Sequence, residues 1–212
     1  MIWQRLKQLF QAESELQNSA ETIVVIGVHK EELAFGDEVA RHLDRTLFSP
    51  FRIASGLSAR RPRTDQLEQY LTNHEQLYTQ IADHMPAHCK LLIDLHCRLK
   101  AEADADIFCA SPDLLNRISE SFHTRFPKSD ARLRTIRMVS DADLCEWDDT
   151  HEDKHASGHL LSKPELPEVV WRATRPAYVG LEIYLDHEGR GEQENWDLTL
   201  QILSAVRSAI LD

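Results

Sequence analysis

The chain has 212 residues, of which 42% are hydrophobic and 28% charged, and these values are ordinary for one globular domain. Its 35 acidic residues exceed its 24 lysines and arginines, and the net charge of -11 repels nucleic acid and anionic lipid surfaces. The longest apolar runs have about eight residues, far fewer than the roughly 20 of a bilayer-spanning helix. We therefore expect a cytoplasmic protein that binds neither nucleic acid nor a membrane, with a homo-oligomer left open.

The first 20 residues place Ile2, Leu6 and Phe10 at helical spacing, with charged residues between them. This pattern predicts an amphipathic helix, which could pack on the domain or on a partner. The segment lacks the unbroken apolar region of a signal peptide. We expect a single α/β domain to follow, over residues 21–212.

The domain begins with a β-branched run at residues 22–28, typical of a strand that is buried on both faces of a parallel sheet. Helical spacing at 31–44 then predicts the helix of a strand–helix unit. The same reasoning predicts further strands at 47–53, 90–97, 106–110, 132–139, 169–174 and 177–185, and further helices at 64–85, 111–126 and 195–211. Residues 140–167 have little periodicity and predict a functional loop or lid.

Strands that alternate with helices favour a single-domain three-layer α/β sandwich, in which a mainly parallel mixed sheet has helices on both faces. The sequence contains no Gly-x-Ser-x-Gly elbow, no phosphate-binding glycine-rich loop and no dinucleotide-binding fingerprint. These absences argue against a serine hydrolase, a nucleotide kinase and a dinucleotide-dependent oxidoreductase.

Histidine and carboxylate residues lie at or near the ends of two buried strands. His29 and Glu32 follow the first strand, and His96 ends the strand at 90–97. Ligands of open α/β sheets bind at the carboxyl ends of the strands. A catalytic zinc ion takes three protein ligands, often two histidines and a glutamate, so His29, Glu32 and His96 would supply one complete set.

A hydrolytic zinc site also needs a carboxylate that takes a proton from water and returns it to the leaving group. Glu182 is an acid inside an apolar strand, and a catalytic role would explain its burial. Asp94, two residues before His96, would orient a ligand or an arginine. Structural alternatives remain open: the histidines could form ordinary hydrogen bonds, Asp94 and His96 could be a structural pair, and Glu182 could bridge to Arg172 or Arg175.

A loop after the second strand carries Arg60, Arg61 and Arg63, and a guanidinium group matches a carboxylate with two parallel hydrogen bonds. One of these arginines could bind an anionic substrate, although a solvated cluster is the plainer interpretation. Arg98 is an alternative clamp or oxyanion stabiliser, because it lies two residues after His96.

Three further histidines, His151, His155 and His159, are spaced four residues apart in the predicted loop. On a helix they would share one face and could bind a transition metal. Gly158 and the neighbouring acids favour a solvated, mobile loop instead.

The order of these motifs resembles the zinc carboxypeptidase superfamily, in its succinylglutamate desuccinylase and aspartoacylase branch, with N-formylglutamate amidohydrolases as neighbours. The matching segments are Gly27-Val-His29-Lys-Glu-Glu32, the basic loop at 58–63, Asp94-Leu-His96 and Leu181-Glu182. The resemblance implies one zinc ion bound by His29, Glu32 and His96, with Glu182 as general base and acid. It also implies hydrolysis of an amide bond in a small, anionic, N-acylated or peptide-like substrate.

Two features depart from that family. Lys30 and Glu31 replace the usual Gly-Asn between the first histidine and the glutamate, and the basic loop has no Asn-Arg pair. These departures support an alternative from another class, a catalytically degenerate member of the same fold that binds a ligand or a protein.

Overall fold

The computed structural model describes residues 20–60, 62–99, 102–145 and 158–211. The described residues form seven strands: β1 Thr22–Ile26, β2 Phe48–Arg52, β3 Leu91–Leu99, β4 Ala105–Cys109, β5 Leu133–Met138, β6 Leu160–Ser162 and β7 Ala177–Leu185. They also form six α-helices: α1 Leu33–His42, α2 Leu67–His84, α3 Pro112–Arg125, α4 Asp141–Cys145, α5 Glu168–Trp171 and α6 Gln193–Leu211. The predicted helix at 1–20 lies outside the described residues.

All seven strands belong to one sheet, in the order β2-β1-β3-β7-β4-β5-β6. Five of the six neighbouring pairs are parallel, and β4 with β7 is the antiparallel pair. Pro50 lies in the edge strand β2, where the missing backbone donor is tolerated. The predicted mainly parallel mixed sheet is thus confirmed.

Helices α1, α3 and α6 cover one face of the sheet, which we call the packing face. Strands β3 and β7 send only apolar side chains to it, and the strand residues concerned are Leu91, Ile93, Leu95, Val179, Leu181 and Ile183. Phe35 of α1 and Phe122 of α3 are each 1% exposed in the same cluster. Gly36 lets α1 lie close to β1, because a Cβ atom there would come within 2.8 Å of the Ile26 Cβ.

Helices α2 and α5 cover part of the opposite face, which we call the cleft face. Leu77, Tyr78 and Ile81 of α2 pack there with Val170 and Trp171 of α5. Helices therefore lie on both faces, as the sequence predicts. Within the described part of the chain, no helix combines the length and the apolar character needed to cross a bilayer.

Two elements differ from the sequence predictions. Residues 169–174 were expected to form a strand because they begin with two valines, but Glu168–Trp171 is a short helix that buries Val170 and Trp171 and leaves Val169 76% exposed. The predicted loop at 140–167 contains α4 and the edge strand β6, which pairs in parallel with β5. A strand of three residues is too short to produce a recognisable alternation.

Candidate metal centre

The candidate site lies on the cleft face of the sheet, near the carboxyl end of β1. His96 and Glu182 are each the sixth residue of a nine-residue strand, and the parallel register of β3 and β7 pairs them directly. Neighbouring strands lie about 4.8 Å apart, so the two side chains emerge beside each other. Strand β1 ends at Ile26, which pairs with Leu95, whereas β3 and β7 continue for three residues past His96 and Glu182.

His29 and Glu32 reach the same region from the turn between β1 and α1. Gly27 makes this turn with a φ of +79°, and a Cβ atom there would meet the Ile53 carbonyl oxygen at 2.7 Å. The turn closes when the Glu32 amide donates to the His29 carbonyl at 3.1 Å. Because Glu32 is three positions after His29 on one turn, the two side chains point the same way.

The three side chains form one compact cluster, in which one ligand atom from each lies within 4.8 Å of the others. The carboxylate of Glu32 is at its centre. His29 Nδ1 lies 2.9 Å from Glu32 Oε1, and His96 Nδ1 lies 2.7 Å from Glu32 Oε2. The structure therefore brings together the three residues that the sequence predicts as metal ligands.

The contacts of His96 indicate that a proton or a metal ion lies between the facing atoms of this cluster. A neutral imidazole carries one N–H, yet both nitrogens of His96 face carboxylate oxygens, Nδ1 that of Glu32 and Nε2 that of Asp94 at 3.1 Å. Two lone pairs cannot face each other at such distances unless a proton or a metal ion lies between them. Two imidazoles and a carboxylate are also the donor set that zinc prefers. The residues present therefore fit a zinc ion held by His29, Glu32 and His96.

The charges of the cluster stabilise one another. Burial opposes ionisation of Glu32, but the charge of His96 and the hydrogen bonds from both histidines keep its pKa lowered. Burial likewise opposes the charge of His96, and the carboxylates of Asp94 and Glu32 outweigh it and raise its pKa well above 6.5.

Asp94 supports the cluster from beneath. It is 1% exposed, and its Oδ2 accepts hydrogen bonds from the hydroxyls of Tyr78 at 2.6 Å and Tyr178 at 2.9 Å. Burial would raise its pKa, but His96 and the two tyrosines hold the pKa below 3.8. Asp94 thus orients His96 with a fixed negative charge, as expected of a residue that positions a ligand.

Glu182 faces the cleft beside His96. Burial raises its pKa above 4.5, although the nearby charges of Arg98 and His96 oppose this shift. Its nearest cation is Arg98, with Nε 3.7 Å from Oε1. The alternative partner Arg172 instead binds Asp143 and Glu168. A carboxylate with a raised pKa, beside a candidate metal site, is suited to accept and return a proton.

A second carboxylate near Glu182 is neutralised by its own partners. Asp106 faces Glu182 across the β4–β7 pair and is 3% exposed. Arg134 donates to both of its oxygens at 2.7 Å, and the Tyr184 hydroxyl donates at 2.7 Å. The pairing leaves Glu182 as the proton-transfer candidate of the two. Sequence analysis did not identify this network, because its residues come from three different strands.

A cleft of about 660 Å³ opens over the cluster. Arg98 and Lys163 line it among the described residues, together with the carboxylate of Glu165. Arg60 and Arg63 belong to the described residues but do not line the cleft, and Arg61 lies outside them. Of the three described arginines predicted as substrate contacts, the structure thus brings only Arg98 to the site.

The unusual Lys30 and Glu31 lie on the outer side of the turn, and both are exposed. The Glu31 carboxylate accepts hydrogen bonds from the Ser58 hydroxyl at 2.8 Å and the Ala59 amide at 3.0 Å. These residues therefore anchor the basic loop and do not place bulk beside the metal ligands.

Of the three loop histidines, His159 belongs to the described residues. His151 and His155 lie outside the described residues. His159 is 6% exposed, and its Nδ1 lies 2.7 Å from the Thr135 hydroxyl. The prediction of a solvated loop is therefore wrong for His159.

His74 is a residue of the site that sequence analysis missed. It lies on α2, is 3% exposed, and its Nε2 is 3.2 Å from His29 Nε2. A signal was present: His74 fills the gap in the apolar stripe of α2, four residues after Tyr70 and four before Tyr78. A polar residue on the buried side of a helix needs a partner, and here the partner is a candidate metal ligand.

No protein-family model matches the sequence, and no curated protein matches it. Among solved structures, two of murine aminoacylase 3, one of them a mutant, are 10% and 11% identical to this chain, with TM-scores of 0.49 and 0.48. These alignments cover 92% of this chain and 65% and 64% of the aminoacylase chains. The chain thus spans slightly less than two thirds of their length. Succinylglutamate desuccinylase from Vibrio parahaemolyticus is 14% identical with a TM-score of 0.40, over 92% of this chain and 68% of that chain.

Proposed function

We propose that the protein is a zinc-dependent amidohydrolase that cleaves an amide bond in a small, anionic, N-acylated or peptide-like substrate. The observation that carries this proposal is the contact of two imidazole nitrogens with the two oxygens of one buried carboxylate, on the floor of a cleft. Such contacts require a cation or shared protons, and the donor set suits zinc.

A zinc ion bound by His29, Glu32 and His96 would polarise the substrate carbonyl and make a water molecule more acidic. The chain's own groups then perform the proton transfers. Glu182 takes a proton from the attacking water and delivers it to the nitrogen of the leaving amine as the amide bond breaks. Because burial raises the pKa of Glu182 toward neutral pH, this carboxylate can both accept and release a proton efficiently.

Arg98 supplies the contact with a negatively charged substrate. Its guanidinium group lines the cleft, lies beside Glu182, and its side chain is 69% exposed. A substrate carboxylate that pairs with Arg98 would bring the neighbouring amide bond to Glu182 and the metal ligands. Lys163 also lines the cleft, but it already forms an ion pair with Asp141 at 2.5 Å.

The alternative function is a binding module without catalysis. Its sequence support was the Lys30-Glu31 pair and the missing Asn-Arg pair of the basic loop. The side chains of Lys30 and Glu31 are exposed, and Glu31 accepts a hydrogen bond from Ser58 of that loop. The hydrolase proposal is favoured because all of the groups that hydrolysis needs are present in one cleft.

Zinc titration of protein purified in chelator tests the proposal. We expect one zinc ion per chain, and we expect His29→Ala and Glu32→Gln to lose most of the affinity. Arg63→Gln, which changes an exposed residue outside the cleft, serves as the control. Protein that binds no zinc, or a His29→Ala variant that binds as tightly as the parent, would overturn the proposal.

Turnover is measured on amides of aspartate and glutamate with formyl, acetyl and succinyl groups, and on the matching amides of neutral amino acids. A hydrolase prefers the acidic series and loses turnover in Glu182→Gln, whereas a binding module binds these compounds equally well in both forms and hydrolyses none. Ligand binding without turnover by the zinc-loaded parent would favour the binding module.

A further inference from the structure

His74 is a buried polar side chain beside the candidate metal ligands that the proposed reaction does not use. It is one of four described histidines whose Nδ1 contacts the carbonyl oxygen four residues earlier on its own helix. The other three, His42, His84 and His123, make this contact on exposed helix surfaces. Only His74 among them is buried, and only its Nε2 meets the metal cluster.

The proton on His74 can be assigned from its partners. Its Nδ1 lies 2.9 Å from the Tyr70 carbonyl oxygen. A carbonyl oxygen only accepts hydrogen bonds, so Nδ1 of His74 carries a proton. The Tyr70 ring, with its centroid 4.1 Å from that of His74, packs against the imidazole and fixes its orientation.

The proton on His29 follows from this assignment. His29 Nε2 and His74 Nε2 are 3.2 Å apart, and only one of two facing nitrogens can carry a proton. If His74 accepts, His29 carries its proton on Nε2 and its Nδ1 presents a lone pair toward Glu32. If His74 instead donates, Nε2 of His29 accepts the hydrogen bond. The single proton of a neutral His29 ring is then on its Nδ1. Binding of a metal ion through Nδ1 of His29 therefore requires His74 to be the acceptor.

We propose that His74 is a positioning residue of the metal centre, whose Nε2 accepts the His29 Nε2–H bond and fixes His29 in the tautomer that offers Nδ1 to the ion. This inference rests on the proposed zinc function. His74 does for His29 what Asp94 does for His96, but with a neutral group in place of a carboxylate. The two metal-binding histidines are thus held by partners of different charge.

Two substitutions separate the acceptor role of His74 from its packing role. His74→Asn keeps an amide N–H that can reach the Tyr70 carbonyl but is too short to contact His29. His74→Gln places an amide oxygen near the former Nε2 position, where it can accept from His29. His84→Asn is the matched control, since His84 makes the same backbone contact at 2.7 Å on the same helix but is exposed.

The zinc dissociation constant, measured by competition with a chromophoric chelator, is the first readout. Loss of an outer partner of a metal ligand typically weakens binding by roughly 10- to 100-fold, and we expect this for His74→Asn. His74→Gln should stay within about threefold of the parent, and His84→Asn should match the parent. A folded His74→Asn variant with parental zinc affinity overturns the inference, as does an equal loss in His74→Asn and His74→Gln.

Proton positions in the unsubstituted protein give a second readout that needs no variant to fold. In ¹⁵N spectra of zinc-loaded protein labelled at histidine, we expect His29 to bind through Nδ1 with a proton on Nε2, and His74 to carry its proton on Nδ1. A proton on Nε2 of His74, or ligation of His29 through Nε2, overturns the inference. Failure of the proposed function is distinguishable, because the unsubstituted protein would then bind no zinc at all.

Discussion

The two faces of the central strands have opposite chemistry, although they are made from the same residues in alternation. In β3 and β7, every second residue lies on the packing face, and those buried there are aliphatic. The residues between them include Leu92, Asp94 and His96 on β3, and Tyr178, Gly180 and Glu182 on β7. Alternation of side chains across a strand separates these sets. The apolar residues that stabilise the fold and the polar residues of the candidate site therefore lie on opposite sides of one sheet.

The difference between the faces concerns how buried groups are stabilised. On the packing face, burial of apolar surface is favourable at roughly 25 cal/mol per Å² and needs no partner. On the cleft face, each buried polar group is unfavourable unless it is paired, and Asp94, His96 and Asp106 have such partners. Glu182 differs from these three, because burial raises its pKa and its ion pair with Arg98 is long, at 3.7 Å. A weakly paired carboxylate of the cleft face is thus the one with the proposed proton-transfer role.

The largest effect is expected from Glu182→Gln. Turnover should fall by roughly 10²- to 10⁴-fold, because the amide cannot take the proton, while zinc affinity stays unchanged.

The same variant should also change stability. The raised pKa means that the folded state favours protonated Glu182: its stabilisation is present below pH 4.5 and is lost as pH rises through the raised pKa. The neutral amide should therefore raise the free energy of unfolding at pH 7 by about 0.5 to 2 kcal/mol. Glu120→Gln on the exposed side of α3 should change neither quantity; a Glu182→Gln enzyme with parental turnover would refute this role.

Phe122→Ala should destabilise the packing face and leave the cleft face unchanged. Phe122 is 1% exposed, and loss of a buried phenylalanine side chain costs about 3 to 5 kcal/mol of unfolding free energy, measured by urea denaturation. Zinc affinity of the folded protein should stay at the parental value, because no metal-binding residue touches that face. Thr124→Ala, two residues later and exposed, is the control. A large loss of zinc affinity in Phe122→Ala would contradict the separation of the two faces.

Arg98→Gln should raise KM for anionic substrates by about tenfold and leave KM for the matching neutral amides nearly unchanged, since only the former lose an ion pair. The charge of Arg98 also lowers the pKa of Glu182, so the acidic limb of the pH–rate profile should move to higher pH in the variant. Arg63→Gln, whose side chain is 81% exposed, serves as the matched control. Equal KM changes for acidic and neutral substrates would exclude Arg98 as the carboxylate contact.

The smallest effect is expected in the pH dependence of stability without metal. The raised pKa of His96 contributes stability that is complete below pH 6.5 and is lost as pH rises through the raised value. The lowered pKa values of Glu32 and Asp94 contribute stability that is complete above 4.5 and 3.8 and is lost as pH falls through the lowered values. Glu182 also has a raised pKa, so the measurement is made in Glu182→Gln protein, where its contribution is removed. Urea unfolding of this protein in chelator should show greatest stability between about pH 4.5 and 6.5. Addition of His96→Gln should abolish the remaining alkaline decline, and a decline that persists would rule out His96 as its cause.

Periodicity was sufficient to predict the framework of the sheet. The buried strands β1, β3 and β7 are continuous apolar runs, and a carboxylate or histidine inside such a run is conspicuous because it has no other reason to be buried. His96 and Glu182 were found in this way, and His29 and Glu32 were found from their spacing directly after the first apolar run. The register that pairs His96 with Glu182 was not predictable, because sequence does not state which strands are neighbours.

Residues with roles in tertiary contacts were harder to predict. His74 resembled an ordinary helix residue until the structure placed it against His29. The arginine cluster at 60–63 was a stronger sequence signal than the single Arg98, yet among the described arginines Arg98 lines the cleft and Arg60 and Arg63 do not. In α5, two valines favoured a strand by propensity, but burial of Val170 and Trp171 against α2 favours a short helix. In each case, packing against a distant element determined the outcome.

The position of β7 in the sheet has a consequence for the order of folding. This last strand of the chain lies between β3 and β4, so it joins a unit of β2, β1 and β3 to a unit of β4, β5 and β6. The three candidate zinc ligands belong to the first unit, within the first 96 residues, whereas Glu182 arrives with the joining strand. During synthesis from the N-terminus, the metal-binding half of the site can assemble before the strand that carries the proposed base has been made. Contacts between β1 or β3 and β7 are also distant in sequence, and such contacts form slowly. Under the proposed function, capture of the ion and acquisition of activity would therefore be separate events during synthesis of the chain.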